Sequence, residues 1–160
     1  MNAAPPYQPL IRLVGLDAEA VFTHPDVTVW RDLPDRQNAT LDFTDTDGRL
    51  HRWHVKRYPA KYAKQANAEV RGLHLLRQAG IRTPDLVAHG TLPDGRSFLI
   101  TDDLAGHRPA EKFLAAGGDF AAILPGTAAV AARLHHAGLH HRDLYLNHFF
   151  IDAADPAREP

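Results

Sequence analysis

The chain reads as an α+β fold, with an antiparallel sheet and one long helix first and a mostly helical region after it. Three observations predict this. Strand-like segments bounded by turn signatures crowd residues 27 to 102, interrupted by a single strongly periodic helix. The composition changes after Thr101-Asp102-Asp103-Leu104-Ala105-Gly106, beyond which helical segments dominate. A polar stretch, His140 to His148, then runs into Phe149-Phe150-Ile151, strand formers that Asp152 closes with a turn.

The elements follow in order. Residues 1 to about 9, with Pro5, Pro6 and Pro9, read as a loose leader, and Leu10 to Phe22 as a short helix. Val27 to Trp30 reads as a strand, and a polar connection from Arg31 to Asn38 leads to a partner strand at Ala39 to Phe43. Asp45-Thr46-Asp47-Gly48 carries the Asp-Gly signature of a hairpin turn. Arg49 to Tyr58 is the third strand, with Trp53 and Val55 on one face and His54 and Lys56 on the other. Lys61 to Ala79 is a helix ended by Gly80; Ala66, Leu73 and Leu76 share a face that also carries Glu69, with Val70 beside it. A carboxylate on that face requires a cationic partner. Leu86 to Ala88 and Ser97 to Ile100 are strands flanking the turn Pro93-Asp94-Gly95, and Pro109 to Ala116 and Phe120 to Ala137 are helices. The expected organisation is a leader with a short helix (1–26), a small sheet-bearing lobe (27–102), and a hinge with part of a larger helical lobe (103–160).

Composition narrows the function classes. At 160 residues and 44% hydrophobic the chain can bury a core, and a net charge of −1 provides no general attraction to nucleic acid or anionic membrane. The lack of cysteine excludes disulfides, thiolate metal sites and cysteine nucleophiles. The first residues show no positive segment followed by an apolar one, and no apolar run approaches ~18 residues, so a cytoplasmic protein is expected.

The chemistry concentrates in His140-His141-Arg142-Asp143-Leu144-Tyr145-Leu146-Asn147-His148-Phe149, which follows a helix ended by Gly138. An isolated aspartate here would simply make an Asx-turn. In this context, H-R-D-x-Y-x-x-H-F resembles the catalytic loop of the lipopolysaccharide kinase family, the Kdo and heptose kinases, within the protein-kinase-like superfamily. The resemblance runs from about residue 27 to 152.

That resemblance implies a set of roles. Asp143 would be the carboxylate facing the attacking hydroxyl. Lys56, in Trp-His-Val-Lys, would hold the phosphates of ATP and be oriented by Glu69. The Mg2+ ligand is His148, directly or through water, or else Asn147 one residue earlier; imidazole is an unusual partner for magnesium. The acceptor would be a Kdo or heptose hydroxyl of a lipopolysaccharide core or lipid A precursor, reached at the cytoplasmic face of the inner membrane, with no nucleic-acid partner. Two departures stand out. His54 replaces the small residue that normally roofs adenine, and the connection from Arg31 to Asn38 has no glycine where kinases place a phosphate-covering glycine loop, leaving Arg36 or Asn38 as side-chain contacts or a plain solvated hairpin. The alternatives are a small-molecule kinase of the aminoglycoside or choline phosphotransferase type, which favours Asn at the position of His148, and a silent pseudokinase or nucleotide-binding module.

Two further clusters have plainer readings. His135, His136, His140, His141 and His148 suggest zinc, but no H-E-x-x-H pattern accompanies them, and the histidine of such a loop is expected to bond within the loop. Arg52, Lys56, Arg57, Lys61 and Lys64 form a basic stretch, read as a solvated face before a lipid or phosphate contact. The second metal-binding aspartate of kinases has no counterpart, since Asp152 comes before any turn and return strand. The expectation is a truncated chain, inactive by itself, whose Phe149-Phe150-Ile151 strand lacks a partner and whose apolar residues from 123 to 151 are exposed.

Overall fold

The computed structural model describes residues 1–157. Two compact units emerge: Met1–Leu73 with Pro84–Asp103, and His74–Thr83 with the described residues from Leu104 onward.

The first unit is built on a six-stranded antiparallel sheet. Its elements are β1 (Asn2–Ala3), α1 (Gln8–Leu13), α2 (Ala20–Thr23), β2 (Val27–Asp32), β3 (Gln37–Thr44), β4 (Leu50–Tyr58), α3 (Ala63–Gln78, whose last residues fall in the second unit), β5 (Leu86–Thr91) and β6 (Ser97–Asp102). The strand order is β1-β5-β6-β4-β3-β2. Both hairpin turns form where Asp-Gly appears in the sequence. Asp45 Oδ1 accepts from the Asp47 and Arg49 amides, and the Leu92 amide donates to the Arg96 carbonyl at 2.8 Å across the second turn.

Alternation along β4 separates the two layers on this sheet. Trp53 and Val55 lie in one core with Ala39, Leu41, Phe98 and Ile100, and the N-terminal Ile11, Leu16 and Val21 complete it. On the opposite face Tyr58 and Leu99 pack with Ala66 and Val70 of α3. A fully buried side chain of this size contributes about 1.5–3 kcal/mol.

Residues 1 to about 9 are therefore not a loose leader. Asn2 and Ala3 pair with His89 and Ala88 as an edge strand, and the expected single helix is two, separated by a buried Leu16. The apolar spacing of Ile11, Leu16 and Val21 fits no one helical stripe, because these residues reach the sheet from two helices and a turn. The basic stretch is also divided. Arg57 is buried, its Nε donating to the Val21 carbonyl at 2.7 Å, and burial lowers its pKa; Arg52 instead pairs with Asp42 on the surface. Period-two alternation explains the split.

In the second unit, β7 (His107–Pro109), α4 (Ala110–Ala115), α5 (Phe120–His136) and β8 (Phe150–Asp152) enclose a core of Ala110, Phe113, Ile123, Phe149 and Ile151. The triplet strand does have a partner: β8 pairs with β7, Ile151 opposite Arg108 and Phe150 opposite Pro109. A three-residue strand starting before Pro109 carries too little pattern to be seen in sequence. The expected exposed stripe is likewise buried at Ile123, Thr127 and Leu134; the exposed apolar side chains nearby are Phe120, Leu124 and Tyr145.

Gly138 ends α5 as expected. Its φ of 69° lets the Leu139 amide turn back to the Leu134 carbonyl at 3.0 Å. Gly80 does the same after α3, with the Ile81 amide on the Leu76 carbonyl.

Candidate active site

The sheet register creates the first half of the site. Lys56 lies on β4 between Leu99 of β6 and Asn38 of β3, and its side chain projects to the face that α3 covers. Glu69 follows Ala66 by three residues, close to one helical turn, and directly precedes Val70; these two are the buried residues of α3, and Glu69 is carried to the sheet with them. Lys56 Nζ donates to Glu69 Oε2, forming the ion pair that an inward-facing Glu69 requires. Both side chains retain about a third of their exposure, so the cation is accessible at the sheet surface.

Tyr58, the last residue of β4, belongs to the same cluster. Its hydroxyl donates to Glu69 Oε1, and the residue is fully buried. Burial first, and then the Glu69 carboxylate, push the Tyr58 pKa up, so it remains a neutral donor. The signal available in the sequence was the i, i+2 spacing from Lys56, which places both on one face.

The glycine-free connection is a tight turn, with the Leu33 amide on the Arg36 carbonyl at 2.9 Å. Arg36 bonds Asp35 at 2.9 Å, and Asn38 is buried opposite Lys56. His54 Nε2 bonds Asp103 Oδ1 at 2.8 Å, so the histidine of Trp-His-Val-Lys is tied to the end of β6. The adjacent Asp102 accepts from the Tyr7 hydroxyl at 2.9 Å, another contact from the N-terminal residues.

The second unit carries the remaining candidates on the loop after α5. Asp143, Asn147 and His148 are all exposed. The Asp143 carbonyl accepts from the Tyr145 amide at 2.9 Å, and a single 3₁₀ turn, Leu146–His148, brings the His148 ring back so that its Nδ1 faces the Tyr145 amide at 3.4 Å. His141 stands 4.7 Å from the His148 ring, ring centre to ring centre. Partial desolvation of its ring first, then the neighbouring His141, lower the His148 pKa although the residue as a whole is exposed, partly opposed by the Asp143 charge. With Nδ1 accepting from the amide, the neutral imidazole carries its proton on the outward Nε2, which is therefore a hydrogen-bond donor.

Among the described residues no three His, Cys, Asp or Glu side chains gather to hold a metal. Magnesium commonly takes only one or two protein ligands and completes its shell with phosphate oxygens and water; the Asn147 oxygen fits that smaller demand directly, and His148, with its proton on Nε2, fits it through water. No described helix is long and apolar enough to cross a membrane.

Residues 27–159 match the family model for the lipopolysaccharide kinase (Kdo/WaaP) family. Among solved structures, monomeric WbdD is similar at 23% identity and a TM-score of 0.53, over 79% of this chain and 31% of that one. The bifunctional kinase-methyltransferase WbdD matches at 22% identity and 0.51, over 78% and 28%, and a high-resolution WbdD crystal structure at 21% and 0.52, over 83% and 31%. These likenesses establish the fold, the expected protein-kinase-like α+β architecture. The chain spans less than a third of the length of those structures. No curated protein matches it.

Proposed function

Because the chain belongs to the lipopolysaccharide kinase (Kdo/WaaP) family, we propose that it forms part of an ATP-dependent kinase that phosphorylates a sugar hydroxyl, Kdo or heptose, of the lipopolysaccharide inner core. The observation that carries this reading is the Lys56–Glu69 pair on the sheet of a chain that also bears His141-Arg142-Asp143. A lysine held by a carboxylate on a rigid strand is a preorganised cation for nucleotide phosphates, which is what phosphoryl transfer chiefly needs from a protein.

In this reading Lys56 neutralises the phosphates of ATP while Glu69 sets its direction. Asp143 orients the acceptor hydroxyl and takes its proton as the new oxygen–phosphorus bond forms and the bond to the ADP oxygen breaks. Asn147 directly, and His148 through water, would hold magnesium, which would supply charge neutralisation for the phosphates. Work on a lipid A-linked acceptor places the protein at the cytoplasmic face of the inner membrane, as a peripheral partner.

The test is transfer of labelled γ-phosphate to isolated inner-core acceptor, compared with aminoglycoside and choline acceptors. Phosphate on Kdo or heptose supports the proposal. Labelling of the small molecules instead replaces it with the other kinase class, and nucleotide binding without any transfer points to a silent module.

A further inference from the structure

We propose that Tyr58 is a positioning residue that holds Glu69 against the sheet independently of Lys56. This rests on the reading of Lys56 and Glu69 as the nucleotide anchor. Each oxygen of the Glu69 carboxylate has its own donor, Lys56 Nζ on Oε2 and the Tyr58 hydroxyl on Oε1. Those donors are i and i+2 on one strand, so their side chains stand on one face and the carboxylate bridges them. Tyr58 cannot leave: it is fully buried against Ala66, Val70 and Leu99.

The two donors differ in what they can do. Lys56 must turn part of its donor capacity to phosphate when nucleotide binds, which loosens an ion pair that stands alone. Tyr58 keeps its proton and remains on Oε1 throughout. Glu69, and the turn of α3 that carries it, thus stay in place while Lys56 serves the nucleotide. Arg36 and Asp35, the charged residues of the β2–β3 turn that act on the Tyr58 hydroxyl, have opposing effects on it.

The experiment is a double-mutant cycle read by calorimetric titration with magnesium-ADP, so that binding is measured and not turnover. Lys56→Met and Glu69→Ala first test the anchor itself. Tyr58→Phe keeps the ring and removes only the donor. It should weaken ADP binding by about tenfold, the scale of one hydrogen bond to a charged group. In the Glu69→Ala background it should weaken it no further. A second measurement does not depend on the folding of Tyr58→Phe. Amide exchange at Ala66 and Val70 should stay at the wild-type rate in Lys56→Met and rise in Glu69→Ala.

If Lys56→Met and Glu69→Ala bind ADP as tightly as the wild type, the anchor reading fails and takes this role with it. If those two variants are impaired but Tyr58→Phe binds normally, or its effect adds fully to that of Glu69→Ala, the anchor stands and Tyr58 is only a core side chain. Exchange in Lys56→Met as fast as in Glu69→Ala overturns the proposal equally.

Discussion

The Lys56–Tyr58–Glu69 cluster and the loop from His140 to His148 carry the two halves of the proposed chemistry, yet different forces fix them. In the cluster, each side chain comes from a regular element whose position is set by burial: Trp53 and Val55 hold β4 from one face, Ala66 and Val70 hold α3 on the other. In the loop, Asp143, Asn147 and His148 are exposed, and local turns shape the backbone, with Phe149 and Ile151 anchoring it only afterwards. The lesson is that the cation proposed to bind phosphate can be placed by packing alone. The exposed carboxylate proposed as the base depends on short-range backbone bonds that begin and end at well-anchored residues.

The largest expected effect separates these regions most sharply. Asp143→Asn in a catalytically active form should lower turnover ~10²–10⁴-fold, while the melting temperature hardly moves because an exposed carboxylate is exchanged for an exposed amide. Unchanged turnover in a labelled-phosphate assay would reduce Asp143 to a turn residue. Trp53→Ala should do the reverse. It empties a fully buried site under β4 and should cost about 3–5 kcal/mol of unfolding free energy in denaturant titration. A loss below 1 kcal/mol would show that the sheet does not depend on this packing.

A smaller effect probes the helix that leads into the loop. Asp119 caps α5, its Oδ1 accepting from the Ala121 amide at 2.9 Å. Asp119→Ala should cost about 0.5–2 kcal/mol in the same titration, and α5 amides near Phe120 should exchange faster. An unaffected exchange pattern would mean the cap is idle.

The smallest effect is electrostatic and confined to the loop. The folded His148 titrates below the ordinary histidine value of about 6.5. Between that value and its lowered one, the unfolded chain binds a proton that the folded chain refuses. Stability therefore falls as pH drops through about 6.5 and levels off below the folded pKa. His141→Asn removes one cause of the lowering, so His148 should titrate higher in this variant. Ring-proton NMR titration measures both values, and a His148 that titrates identically in the two proteins would dissolve the His141–His148 coupling.

Residue patterns alone located most of the regular elements. Asp-Gly turns, the alternation in β4 and the stripe of α3 are local codes, written within a few residues of where they act, and they sufficed to place Lys56 and Glu69 on facing surfaces. The His-Arg-Asp loop was equally legible as a motif. Tertiary structure decided what lay outside local range. Tyr58 joins Glu69 because of a distance across helix and sheet that no spacing encodes beyond a shared face. The first 26 residues become a layer on the sheet because Ile11, Leu16 and Val21 find apolar neighbours from β3, β4 and β6. And β8 finds β7, some forty residues earlier in the chain, because three-residue strands have almost no pattern of their own and gain their identity only from the partner they bond.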